Sequence, residues 1–151
     1  MRLFFGSFFY IGYLPKAPGT WASLFSLIPI YFISIHTGFW GLLVLVVTSC
    51  LITYMTTSQF EQIHKKDAPQ MVTDEVAGQT TVFLFISFSG TSSDAGLLLA
   101  GFLLFRLFDI LKPLGIYRIQ RLEGAHGVLF DDLIAGLYAF LCLKFLILLS
   151  L

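Results

Sequence analysis

The sequence predicts an all-α membrane protein: a polytopic helical bundle of about five spans, with an N-terminal interfacial segment and a short cytoplasmic helix, in a single membrane-embedded domain. Three observations carry that expectation. The 151-residue chain is 57% hydrophobic and only 12% charged, with a mean hydropathy of +0.86, against roughly 25% charged residues in an ordinary soluble domain. Its apolar residues gather in runs separated by short polar breaks, and a helix satisfies its own backbone where no water can. Apart from Arg106 and Lys144, which lie inside apolar runs, its basic residues fall in alternate breaks. Nine Lys and Arg balance nine Asp and Glu, so the chain lacks the basic excess of a nucleic-acid binder, and membrane lipids are its natural neighbours.

Leu3–Leu14 is aromatic, interrupted by Gly6 and Gly12 and followed by Pro15. It lacks the basic start, continuous apolar core and small-residue cleavage site of a secretory signal, and is expected to form an interfacial helix or a re-entrant arm. Five apolar runs follow: Ala22–Ile35, Phe39–Met55, Val76–Phe88, Gly96–Leu111 and Leu133–Leu151. Several are shorter than the roughly 20 residues of a perpendicular span, so their helices must extend into polar flanks or cross a thin region. Between the second and third runs, Thr56–Thr73 is polar and is expected to hold a short surface helix ending before Pro69. Cys50 and Cys142 lie in apolar runs without a metal-ligand or disulfide spacing, and read as small buried hydrophobes.

Lys and Arg gather in cytoplasmic loops, which gives an orientation. With five spans and a cytoplasmic N terminus, Arg2 and Lys16, then Lys65 and Lys66, then Arg118 and Arg121 all face the cytoplasm. The opposite loops, His36-Thr37-Gly38 and Ser89–Asp94, carry no basic residue. Removing the third span would scatter the basic loops over both sides.

The same topology gathers the acids. Asp74-Glu75 open the third span, Asp109 lies near the end of the fourth with Arg106 and Lys112, and Asp131-Asp132 open the fifth. A carboxylate at a membrane edge is costly unless a cavity, a counter-charge or a metal receives it. Glu61, Asp67, Asp94 and Glu123 are more simply solvated loop charges. Helical spacing puts Arg106, Asp109 and Lys112 on one ridge, Glu75 beside Gly78 and Gln79, and Asp132 beside Ala135 and Gly136, small residues that permit close helix approach. Clustered carboxylates without His or Cys suit a hard, oxygen-seeking ion such as Mg²⁺, while Arg106 offers a planar fork to phosphate and Lys112 or Lys16 a point charge. Metal-assisted phosphoryl chemistry is the expected reaction. In Ala17-Pro18-Gly19-Thr20, Gly19 allows close backbone approach and Thr20 is a candidate N-cap, so the helix start there is a possible anion contact.

Four segments, Ala17-Pro18-Gly19-Thr20, Val72–Gly78, Phe105–Pro113 and Gly127–Gly136, together resemble the phosphatidylglycerophosphatase A family, in order, from about Lys16 to about Ala139. The resemblance implies a small Mg²⁺-dependent enzyme of the bacterial inner membrane that converts phosphatidylglycerophosphate to phosphatidylglycerol, with its site facing the cytoplasm. It implies that Asp74, Glu75, Asp131 and Asp132 are metal-binding or catalytic acids with Asp109 beside them, that Asp67 joins the metal set, and that Glu61 is a possible further member. Arg106 and Lys112 would face the substrate phosphate, with Thr20 a motif polar group near it. Glu123-Gly124-Ala125-His126 departs from the family's Gly-rich approach to its last motif, and His126 reads as a surface-loop residue. A transporter with buried carboxylates is the alternative from another class, but it calls for midplane charges and an internal repeat, and neither is visible. A non-catalytic scaffold would not need so many acids in its interior.

Overall fold

The computed structural model of the chain describes residues 1–64, 68–113, 115–120 and 124–149. Asp67, Lys65, Lys66, Arg121 and Glu123 lie outside the described residues, as does the end of the expected last span at Ser150 and Leu151. All the regular structure described is helical: α1 (Arg2–Gly6), a 3₁₀ turn (Ile11–Tyr13), α2 (Pro18–His64), α3 (Thr73–Phe83), α4 (Ser93–Leu111), α5 (Ile116–Ile119) and α6 (Ala125–Leu149).

α2 is two helices joined at a turn. It opens on Pro18, whose ring pre-sets the backbone for a first helical position, so Thr20 lies inside the first turn and is not the N-cap expected of it. At Gly38 the backbone takes φ 59°, ψ −141°, and the helix breaks there. Residues 25–29 and 45–52 line the same hollow, which a straight helix rising about 1.5 Å per residue could not achieve. The chain therefore doubles back at Gly38. The second arm runs well past the apolar run that ends at Met55. Its hydroxyls bond back to the preceding turn, Thr56 Oγ1 to the Ile52 carbonyl and Thr57 Oγ1 to that of Thr53, each at 2.7 Å. Their polarity is thus absorbed within the helix, and Phe60, fully buried, packs with Ala68 and Met71. The expected separate surface helix is, over Thr56–His64, roughly the last two and a half turns of this arm.

α3 is shorter than its apolar run: it stops at Phe83, and Leu84–Phe88 continue without helical structure. Eleven residues rise only about 16 Å, roughly half a hydrocarbon core. α3 instead lies at the centre, packed chiefly against α2 and α6. At its crossing with α6, a Cβ on Gly136 would collide with the Gly78 carbonyl, and one on Gly78 would sit 2.7 Å from the Asp132 carbonyl oxygen. The small residues beside the acids thus permit direct backbone contact between these helices. Ile30, Leu42, Val82, Phe83, Phe105, Ala135, Ala139 and Leu143 form the core around them.

Contacts at the two ends show the path of the chain. Leu84–Phe88 share a hollow with Gly38 and Phe39, and Phe39 stacks on Phe85. Tyr31 reaches Asp94, whereas Ser23, Glu75, Arg106 and Asp109 meet at the opposite end. Among the described residues, both arms of α2, residues 73–88, α4 and α6 therefore run between these two ends. α2 (over Pro18–Ile63) and α6 (Ala125–Leu149) are long and apolar enough to cross a membrane. The N-terminal arm packs on α2 and is tied to the start of α3: Val72 N–H donates to the Gly6 carbonyl at 3.0 Å, and Thr73 Oγ1 lies 2.8 Å from the Phe5 and Gly6 carbonyls.

Asp94 corrects an expectation. It is 2% exposed, with its carboxylate wrapped by the Ser89, Gly90 and Thr91 amides and the Ser89 hydroxyl at 2.7–3.2 Å. The acid belongs to the loop it closes and is not solvated.

Candidate active site

Three helices bring five carboxylates to one end of the bundle. Asp74 and Glu75 occupy the first turn of α3, where the positive end of the helix dipole favours negative charge. Asp109 lies in the last turn of α4. Asp131 and Asp132 sit almost two turns inside α6, which starts at Ala125, ahead of the apolar run expected to define it. Asp74, Asp131 and Asp132 are at most 5% exposed. All five acids line a cavity of about 160 Å³ with Lys112 and Gln120, and Ala68, Pro69, Met71 and Val128 form its apolar walls.

The two cations are engaged with these acids. Arg106 NH1 pairs with Glu75 Oε2, and lies 3.0 Å from Asp109 Oδ2. The guanidinium sits behind the cavity as a clamp between α3 and α4, where the sequence suggested a fork facing phosphate. Lys112 lies against the cavity. It takes a left-handed conformation (φ 43°, ψ 50°) at the end of α4, returns its N–H to the Phe108 carbonyl, and sets Nζ 2.5 Å from Asp131 Oδ2. Partial burial works against its ammonium, but the hydrogen bond to Asp131 and the charges of Asp131, Asp109 and Asp132 prevail and hold its pKa above the usual lysine range.

Two oxygens in this setting, Asp74 Oδ1 and Asp131 Oδ1, are buried without a hydrogen-bond partner. One oxygen from each of Glu75, Asp109 and Asp132 lies within 4.8 Å of the others. Oxygen ligands about 2.0–2.1 Å from a Mg²⁺ ion stand at most about 4.2 Å apart, so small side-chain adjustments would let the three share one cation. Five carboxylates face two cations here, leaving three formal negative charges unbalanced when all are ionised. A divalent cation would offset two of them. The donor set, all oxygen with no thiolate or imidazole, suits a hard ion.

Of the remaining expected residues, Lys16 is exposed and lines a separate hollow with Trp21 and Phe25. Thr20 and Lys16 do not line the acid cavity. Glu61 and His126 share another hollow, with His126 stacked on Phe130. Gly19 allows the approach it was singled out for, but what approaches is the Glu75 carboxylate, which any Cβ at Gly19 would strike. An acid from α3, in place of a phosphate, faces the start of α2. Ser23 is the residue sequence reasoning missed: its Oγ is 2.9 Å from Glu75 Oε2 and 3.4 Å from Arg106 NH1. Its one signal was its place a helical turn after Gly19, on the same face.

Residues 4–147 match the family model described as Phosphatidylglycerophosphatase A. The chain belongs to the phosphatidylglycerophosphatase A family. It is thus a phosphatase. A Haemophilus influenzae protein named phosphatidylglycerophosphatase A is 35% identical over 138 residues, 85% of this chain and 77% of that one. An Escherichia coli protein of the same name is 29% identical over 128 residues, 83% and 71% of the two chains. A Bacteroides thetaiotaomicron protein named "putative phosphatidylinositol-3-phosphatase" is 32% identical over 140 residues, 90% and 87% of the two chains. No solved structure matches this member of the family.

Proposed function

We propose that the protein removes the terminal phosphate of phosphatidylglycerophosphate, giving phosphatidylglycerol and inorganic phosphate, at the cytoplasmic face of a bacterial inner membrane. The observation that carries this reading is the convergence of five acids and Lys112 on one small cavity at a single end of the bundle. Five end-to-end passes are read as five membrane crossings, the third partly non-helical, with Lys16 and Arg118 on the cytoplasmic side by the distribution of basic residues. The names of the Haemophilus influenzae and Escherichia coli relatives support the lipid assigned.

Glu75, Asp109 and Asp132 are the residues that would hold Mg²⁺, with Asp74 and Asp131 beside them. When bound, the ion supplies Lewis-acid polarisation of phosphoryl oxygens and acidifies a coordinated water. The chain's own groups do the rest. Lys112 donates to phosphate from the cavity wall, and Arg106 keeps Glu75 and Asp109 together against their mutual repulsion. Asp74 Oδ1 and Asp131 Oδ1 have lone pairs free to orient a water or accept its proton. In the overall reaction a water oxygen bonds to phosphorus, the phosphorus–oxygen ester bond breaks, and the departing glycerol oxygen ends protonated.

A second reading, another phosphorylated lipid headgroup such as a 3-phosphorylated inositol lipid, rests on the name of the Bacteroides thetaiotaomicron relative. A translocating role is not favoured in a phosphatase family with its acids at one end. Phosphate release by purified protein, from each lipid and with or without Mg²⁺, separates the readings. Mg²⁺-dependent release from phosphatidylglycerophosphate, lost in Asp74→Asn and Asp132→Asn, is expected. Metal-independent release, or full activity in both variants, would contradict the mechanism, and preference for the inositol lipid would reassign the substrate.

A further inference from the structure

The acid cavity has room for a phosphorylated headgroup but not for hydrocarbon. A larger hollow of about 580 Å³ lies between the N-terminal arm and the two arms of α2, walled by Phe5, Phe9, Phe25, Ile28, Leu45 and Ser49. That is within the roughly 300–1,000 Å³ of ordinary small-molecule sites. Its far wall is the first turn of α3. Thr73 and Val76, one turn apart, border this hollow, while Asp74 and Glu75 between them border the acid cavity. Four consecutive residues thus form a partition with an apolar side and an acidic side. Hydrogen bonds from Thr73 to Phe5 and Gly6 fasten the N-terminal wall to that partition. Phe8, Phe9 and Tyr10 take three successive left-handed conformations (φ 45°, 59° and 67°), unusual for residues other than glycine, and Phe8 and Phe9 both border the hollow. Phe25 also borders a shallower hollow of about 320 Å³ with Leu14, Pro15 and Trp21, where the charged lining residue is Lys16. No carboxylate lines either hollow among the described residues.

We propose that this trench seats an acyl chain of the same anionic lipid whose headgroup enters the acid cavity, with Lys16 at its rim attracting the lipid's negative charge. The inference rests on the lipid-phosphatase reading above and adds where the hydrocarbon lies. The shared α3 turn joins the two compartments, and the charges match: an acid-free apolar channel with a cation at its edge suits an anionic amphiphile.

The test uses phosphatidylglycerophosphate carrying a diazirine midway along one acyl chain, photolysed with the wild-type protein in phosphatidylcholine vesicles and mapped by mass spectrometry. Adducts are expected on Phe5, Phe9, Ile28 and Leu45, displaced by unlabelled phosphatidylglycerophosphate but not by added phosphatidylcholine. Adducts on the outward residues Leu99, Leu103 and Leu137, or equal displacement by phosphatidylcholine, would each overturn the assignment. They would identify, respectively, another lipid path or ordinary bilayer lipid. In a kinetic arm, Ser49→Trp is expected to lower kcat/KM for a long-chain substrate about tenfold relative to a four-carbon-chain analogue, while exposed Val47→Trp leaves that ratio unchanged. An unchanged ratio in Ser49→Trp counts against the trench. Absence of hydrolysis of either substrate by the wild type counts against the phosphatase reading instead, and the crosslinks still report on the trench.

Discussion

Asp94 and the acid cavity are both buried carboxylate sites, at opposite ends of the same bundle, and they are built in opposite ways. Around Asp94, three successive backbone amides and a hydroxyl surround one carboxylate. Around the cavity, five carboxylates share Arg106, Lys112 and Ser23, and Asp74 and Asp131 each keep a buried oxygen without a partner. A carboxylate that only holds a loop is satisfied by that loop. Carboxylates held close together with lone pairs to spare incur repulsion and desolvation, which the proposed cation and phosphate would offset.

Substitutions at the two ends should therefore separate activity from stability. The largest effect on activity is expected of Asp132→Asn: a fall in kcat/KM of at least about 100-fold, with a melting temperature unchanged or raised, because one crowded charge is gone. Equal losses of activity and stability would make Asp132 merely structural. Arg106→Gln leaves Glu75 and Asp109 without their shared cation, and breaking such a buried pair costs roughly 3–5 kcal/mol. Chemical unfolding should show a large loss of stability alongside reduced phosphate release. Gly136→Val forces α6 away from the Gly78 carbonyl, at a cost of about 1–3 kcal/mol, and activity should fall because Asp132 moves with its helix. Asp94→Ala is the smallest and the mirror image: a melting temperature lower by roughly 5 °C, with kcat/KM for the folded fraction within about twofold of wild type.

Much of the site was legible because membrane chains make acids conspicuous. The pairs Asp74-Glu75 and Asp131-Asp132, the Arg106–Asp109–Lys112 ridge and the small residues Gly78 and Gly136 could be read from spacing alone, and the structure joins them. Which acid pairs with which cation could not. Arg106 turns to Glu75 only because α3 and α4 approach there, and Gly19 receives Glu75, 56 residues later in the chain. The all-helical class followed from composition, whereas helix lengths did not. Hydroxyl back-bonding carries α2 through Thr56 and Thr57, and α3 ends at Phe83 inside an apolar run that hydropathy alone would continue. Asp94 was misread because a loop of Ser, Gly and Thr looks solvated until its amides are seen to converge on one carboxylate.

Cation binding tests the contrast between the two ends without relying on turnover. Mn²⁺ stands in for Mg²⁺ as an oxygen-seeking ion, and electron paramagnetic resonance, which reads the free ion, gives the ion bound to purified protein by difference. Saturable binding that competes with Mg²⁺ is expected in the wild type and in Asp94→Ala, and should be lost in the combined Glu75→Gln, Asp109→Asn and Asp132→Asn variant. Binding retained in that variant, or lost in Asp94→Ala while the protein remains folded, would contradict the assignment of the acid cavity as the metal-binding end.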